Sequence, residues 1–135
     1  VKEMLAMGIN VGWGQDCVLD PWYSLGTADM LDVAFMGLHV AQMTSPADMR
    51  TCFDMVTVNN AKTMGLTDYG LRIGAKASLV VLDASNPIEA LRLRAARLYV
   101  IANGRVISQT PRADATLCLP GRPKSSRRRH SPDTT

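Results

Sequence analysis

From residue 12 to residue 23 the chain reads Gly-Trp-Gly-Gln-Asp-Cys-Val-Leu-Asp-Pro-Trp-Tyr, its densest collection of residues able to do chemistry. Asp16 stands where the alternating apolar run of residues 9–13 gives way to loop sequence. In a parallel α/β barrel, that is the face on which active sites are built. A carboxylate there can bind a divalent metal and can take a proton from water. Gly12 and Gly14 leave room for a ligand or a neighbouring backbone, and Trp22 can supply a flat apolar wall for a planar ring. Spacing alone leaves an ordinary alternative open, because Asp after a strand is more often a turn or cap residue than a catalyst. Cys17 reads as a small pocket-lining side chain or as a reactive thiol beside the site, and Asp20 as a brace for its own loop ahead of Pro21. His39 has no ligand partner at i±3 or i±4 and reads as a packing or hydrogen-bonded residue.

The elements that must position these residues follow from breakers and caps. Residues 1–7 read as the end of a helix already under way, so the chain is expected to be cut from a longer one. After Gly8, residues 9–13 alternate as a short strand. Thr27 is the expected cap of an almost continuously apolar, largely buried helix over 30–43. Ser45-Pro46 starts a second helix, and Thr57 a third that ends at Gly65. All eight methionines lie at or before Met64, where they serve as core filler. From Leu66 the pattern turns to β-type runs: 78–83, then the turn-prone Ser85-Asn86-Pro87 and a short helix over 88–93, then strands 97–102 and 105–108 around Asn103-Gly104, a strong two-residue hairpin signal. So few strands cannot close a β-domain alone and need further partners.

Composition narrows the classes. Of the 135 residues, 47% are hydrophobic, enough for a packed core. No run approaches the roughly 18 apolar residues of a membrane helix, and no leader-like start is evident, so a cytoplasmic protein without a membrane partner is expected. Cys17, Cys52 and Cys118 are odd in number and lack C-x-x-C spacing, which suggests reduced thiols. The net charge of +3 is uneven: from Gly121 onward five basic residues face only Asp133, and the first 120 residues carry −1. The folded part therefore gives no electrostatic case for a nucleic-acid partner, and residues 120–135 read as a disordered basic tail.

The stretch from Gly8 to Met43, with its G-Q-D-C-V-L-D-P-W-Y-S-L-G core and M-G-L-H-V-A-Q-M run, closely resembles the final barrel strand, loop and helix of bacterial cytosine deaminases in the amidohydrolase superfamily. The similarity runs on through residues 57–64, Tyr69-Gly70, Gly74 and the 79–82 strand to Asn103-Gly104. It implies an α/β fold: the C-terminal part of a metal-dependent hydrolase (β/α)8 barrel in residues 1–66, then closing strands of a small β-sandwich in 67–119. It also implies that Asp16 is a metal ligand and proton shuttle, and that Trp22 shapes the substrate pocket with Cys17 facing it. The remaining metal ligands, several histidines, and a glutamate acid/base would lie outside this chain.

The implied activity is hydrolytic deamination of cytosine or a similar amino-substituted ring, a small nucleobase-like substrate, in an enzyme expected to be a homo-oligomer. A divalent metal, iron or zinc, would acidify water for attack on the ring carbon bearing the amino group, and Asp16 would take the water's proton. The best-known family pattern has a histidine before the aspartate and a second acid after it, where this chain has Gln15 and Cys17. Metal chemistry is thus better supported than the choice of ring. Alternatives are a creatinine- or triazine-type amidohydrolase, or a non-catalytic module with a basic binding tail. With only His39 and His130, far apart in sequence, the chain alone is expected to be inactive.

Overall fold

A computed structural model describes residues 1–113 and 115–122. Lys124, Arg127, Arg128, Arg129 and His130, the body of the expected tail, lie outside the described residues. The element order is α1 (Lys2–Ala6), α2 (Met30–Val40), α3 (Pro46–Met55), α4 (Val58–Thr63), β1 (Leu79–Leu82), α5 (Pro87–Leu93), β2 (Arg97–Ala102) and β3 (Arg105–Gln109).

Local chemistry sets most boundaries. The Ser45 hydroxyl accepts from Asp48 N–H at 3.2 Å with Pro46 in the first turn of α3, and the Asn86 side chain accepts from Glu89 N–H at 3.0 Å to start α5. The start and end of α2 differ from expectation. Asp29, not Thr27, caps it, its carboxylate taking Leu31 N–H at 3.0 Å. Ala28 has φ 57, which turns the chain between the two residues, and the Thr27 hydroxyl instead bonds Asp32 Oδ2 at 3.1 Å. The helix stops at Val40 rather than 43 because Gln42 adopts φ 52. Gln42 N–H then reaches His39 O at 3.2 Å and Met43 N–H reaches Leu38 O at 2.8 Å, a Schellman closure made without glycine.

One core joins the helices. Leu31, Ala34 and Leu38 on α2 fall at helical spacing and pack with Met43, Cys52, Met55, Val56 and Leu91. Leu91 brings α5 against both α2 and α3, and Arg94 stacks its guanidinium 5.1 Å from the Phe35 ring centroid. Burial pushes the Cys52 thiol up to about 11, so it is neutral packing material; all three cysteines are free. The expected burial of most of α2 is met on one face only: Leu31, Ala34 and Leu38 are buried, whereas Met36 and Val40 are exposed, Val40 at 80%.

The three strands form one antiparallel sheet in the order β1-β2-β3. Asn103 (φ 50) and Gly104 (φ 77) make the two-residue turn, and Asn103 N–H donates to Ser78 Oγ at 3.0 Å, tying the turn to the start of β1. The sheet meets the helices through Leu82 of β1, packed against the core cluster, and through Arg97 on β2, whose guanidinium lies 3.1 Å from Asp29 Oδ2. The chain is therefore α/β with a small antiparallel sheet. The expected strand at 9–13 forms no ladder, because a strand exists only as a pairing and no described strand lies beside it. Among the described residues no helix is long and apolar enough to cross a membrane.

Candidate active site

Residues 9–13, although unpaired as a strand, are held firmly. Trp13 N–H donates to Met55 O at 3.0 Å, Asn59 Nδ2 to Val11 O at 2.8 Å and Asn60 Nδ2 to Trp13 O at 2.6 Å. The Trp13 ring lies on Gly37 of α2, where an added Cβ would come within 2.5 Å of the indole carbons. Gly37→Ala is therefore expected to destabilise the protein by about 1–3 kcal/mol through overpacking, despite the better helix propensity of alanine. A melting temperature equal to or above wild type would contradict that contact.

Beyond Trp13 the chain enters the loop that carries the candidate residues. Asp16 is exposed, and its one hydrogen bond among the described residues is from the Cys17 thiol to Oδ2 at 3.8 Å, leaving the carboxylate open to a ligand. The Cys17 thiol is half-buried and pushed up in pKa, first by its hydrogen bond to Asp20, then by burial and the Asp16 charge. The shift favours the thiol form, which donates to Asp16. Asp20 Oδ1 accepts from both Trp22 N–H and Tyr23 N–H at 2.9 Å. Those bonds, led by the Tyr23 amide, hold its carboxyl below the usual range. Asp20 is thus the expected brace.

Trp22, pinned by its backbone, projects its side chain at 91% exposure. The loop closes where Gly26 meets the Cys17 carbonyl, a contact so close that any Cβ at 26 would collide with it. Gln15 lies at the same junction, with Oε1 buried and unpartnered among the described residues.

The structure therefore joins Cys17 to Asp16 by a thiol–carboxylate hydrogen bond and places Asp20 and Trp22 in the same loop, where the Asp20 carboxylate takes the Trp22 N–H. His39 stands apart, its Nδ1 2.7 Å from Phe35 O and its ring 4.6 Å from that of Phe35. Among the described residues no group of three or more His, Cys, Asp or Glu side chains could hold a metal. An open depression lined by Leu71, Arg72, Ile73, Lys76 and Leu79 includes none of the candidate residues. Sequence reasoning did not identify Gly26, Gly37, Asn59 and Asn60. For the glycines, side-chain size was the available signal; for the asparagines, it was two poor helix formers side by side in a short helix.

Residues 1–108 match the family model described as the Amidohydrolase family. The 5-methylcytosine deaminase from Klebsiella pneumoniae, solved with 5-fluorocytosine, is similar over 83% of this chain and 27% of its own, with a TM-score of 0.79 and 42% sequence identity. N-isopropylammelide isopropylaminohydrolase from Burkholderia multivorans is similar over 78% of this chain and 27% of its own, with a TM-score of 0.74 and 30% identity. The N-isopropylammelide isopropyl amidohydrolase of Pseudomonas sp. (strain ADP) is 35% identical over 108 residues, which are 79% of this chain and 27% of that protein. The chain thus spans about a quarter of the length of these relatives.

Proposed function

The chain belongs to the amidohydrolase family, and on that premise we propose that it forms part of a metal-dependent hydrolytic deaminase acting on cytosine or a similar amino-substituted ring. The observation that carries this reading is the Asp16 carboxylate. It lies within the matched residues, is exposed, and among the described residues has only a neighbouring thiol on one oxygen. The likeness to a 5-methylcytosine deaminase supports the pyrimidine ring. Residues 1–66 would supply the last strand and helices of a (β/α)8 barrel and residues 67–119 strands of a β-sandwich, seated on protein that covers exposed side chains such as Met36 and Val40.

A carboxylate oxygen suits a divalent iron or zinc ion as one member of a ligand set, and Asp16 is the residue here that would hold it, with the other ligands outside this chain. When bound, such an ion makes water acidic enough to serve as a nucleophile near neutral pH. The reaction replaces the ring C–NH2 by C=O at the expense of one water and releases ammonia. Asp16 takes a proton from the water at a carboxylate oxygen and returns it to the departing nitrogen. Cys17, donating to Oδ2, favours use of the other oxygen. Trp22 provides the apolar wall for the ring, and Asp20 keeps that wall in place.

A second reading, hydrolysis of a substituted triazine-type ring, is favoured by the likeness to the two N-isopropylammelide hydrolases. The intact enzyme containing this chain, assayed on cytosine, 5-methylcytosine and N-isopropylammelide, is expected to release ammonia from the pyrimidines. Isopropylamine from N-isopropylammelide with silent pyrimidines would establish the second reading, and no amine from any of the three would remove both.

A further inference from the structure

We propose that Asn59 and Asn60 are positioning residues for Asp16, clamping the backbone that leads into it by side-chain hydrogen bonds. The inference rests on the reading of Asp16 as the reacting carboxylate. Asn59 Nδ2 takes the Val11 carbonyl at 2.8 Å and Asn60 Nδ2 the Trp13 carbonyl at 2.6 Å, bonds that span 48 and 47 residues of sequence. The attachment is reciprocal: Asn10 Nδ2 donates to Asn59 O at 3.0 Å and to Thr63 Oγ1 at 2.8 Å. With Trp13 N–H on Met55 O, both backbone groups of Trp13 are occupied, three residues ahead of Asp16.

These bonds serve the clamp rather than the helix that bears them. Asparagine is a poor residue inside a helix and competes best at caps, yet both lie within the six-residue α4, whose cap residue Thr57 makes no side-chain cap bond. Their amides reach outward across the fold instead. Asn60 is also matched to Gly12, because its carboxamide occupies the space that any Cβ at residue 12 would need. No described strand pairs with residues 9–13, so the two asparagines, for the Val11 and Trp13 carbonyls, and the Met55 carbonyl, for the Trp13 N–H, do what a ladder would do.

A displaced Trp13 backbone would misplace Asp16 relative to the ring, and an offset of about 1 Å can cost about 100-fold in rate. The test uses Asn60→Asp and Asn59→Asp, close isosteres that place a carboxylate oxygen against a backbone carbonyl. In the intact enzyme, with kcat normalised to the folded fraction, each is expected to lower kcat by roughly 10- to 100-fold while KM changes less than about threefold. Amide hydrogen exchange at Trp13 should be faster in both variants. Unchanged kcat, or a fall in kcat without faster Trp13 exchange, overturns the proposal. Asp16→Asn is run alongside: an inactive Asp16→Asn beside a fully active Asn60→Asp leaves the proposed function standing and removes the clamp. If wild-type enzyme releases no ammonia from any amino-substituted ring, the proposed function falls instead, and the Trp13 exchange rate alone decides whether the asparagines hold the backbone.

Discussion

Asp16→Asn in the intact enzyme is expected to lower ammonia release by roughly 10³-fold, within the range for loss of a positioned acid/base group. The substitution is nearly isosteric, and its amide oxygen can still accept from the Cys17 thiol that now sits 3.8 Å from Oδ2. Loop geometry should therefore persist while the anionic oxygen that would hold metal and carry the proton is lost. Activity and metal content should fall together, since a neutral amide is a much poorer ligand for a divalent cation than a carboxylate. Retention of activity within tenfold of wild type, with normal metal content, would show that Asp16 is an ordinary loop residue and would take the deaminase reading with it.

Leu91→Ala is expected to remove about 2–5 kcal/mol of stability, the usual range for a leucine truncated in a well-packed core. Leu91 has no exposed surface, and it is the residue through which α5 enters the cluster formed by α2 and α3. Truncation leaves a void in a cluster that includes Cys52 and Met55, which are equally buried, so the packing cannot close over it without moving backbone. Ile107 on β3 is 65% exposed and is the comparison: Ile107→Ala should shift stability by no more than about 0.5 kcal/mol. Urea unfolding of both variants checks the pair, and a Leu91→Ala loss below about 1 kcal/mol would mean that α5 is not seated as described.

What could be read in the sequence divides by the range of the interaction. Ser45-Pro46 and Asn103-Gly104 each specify their structure within four residues and form as expected, while Asn86-Pro87, read as a turn, serves as the cap and first residue of α5. The Asp20 brace is equally local. The ends of α2 were misjudged because Ala28 and Gln42 take left-handed backbone, a conformation that local rules reserve for glycine and asparagine. What fails wholly is what depends on distant partners. Residues 9–13 carry a strand pattern, yet a ladder needs a neighbour, and the asparagines that hold them come from almost fifty residues away. Asp16, Cys17 and Trp22 were visible by type, but the thiol's bond to Asp16 and the closure of Gly26 onto the Cys17 carbonyl were not, since alternation says nothing about how a loop folds back on itself.

One carboxylate described above has a wider implication. Asp29 gives one oxygen to the first turn of α2 and the other to Arg97, so the hairpin and the helix share a single reference point just past the end of the loop that carries Asp16 and Trp22. Insertions or deletions between Trp22 and Thr27 leave that reference point untouched. The segment between Trp22 and Thr27 can thus change in length or side chain while the scaffold behind it keeps its alignment.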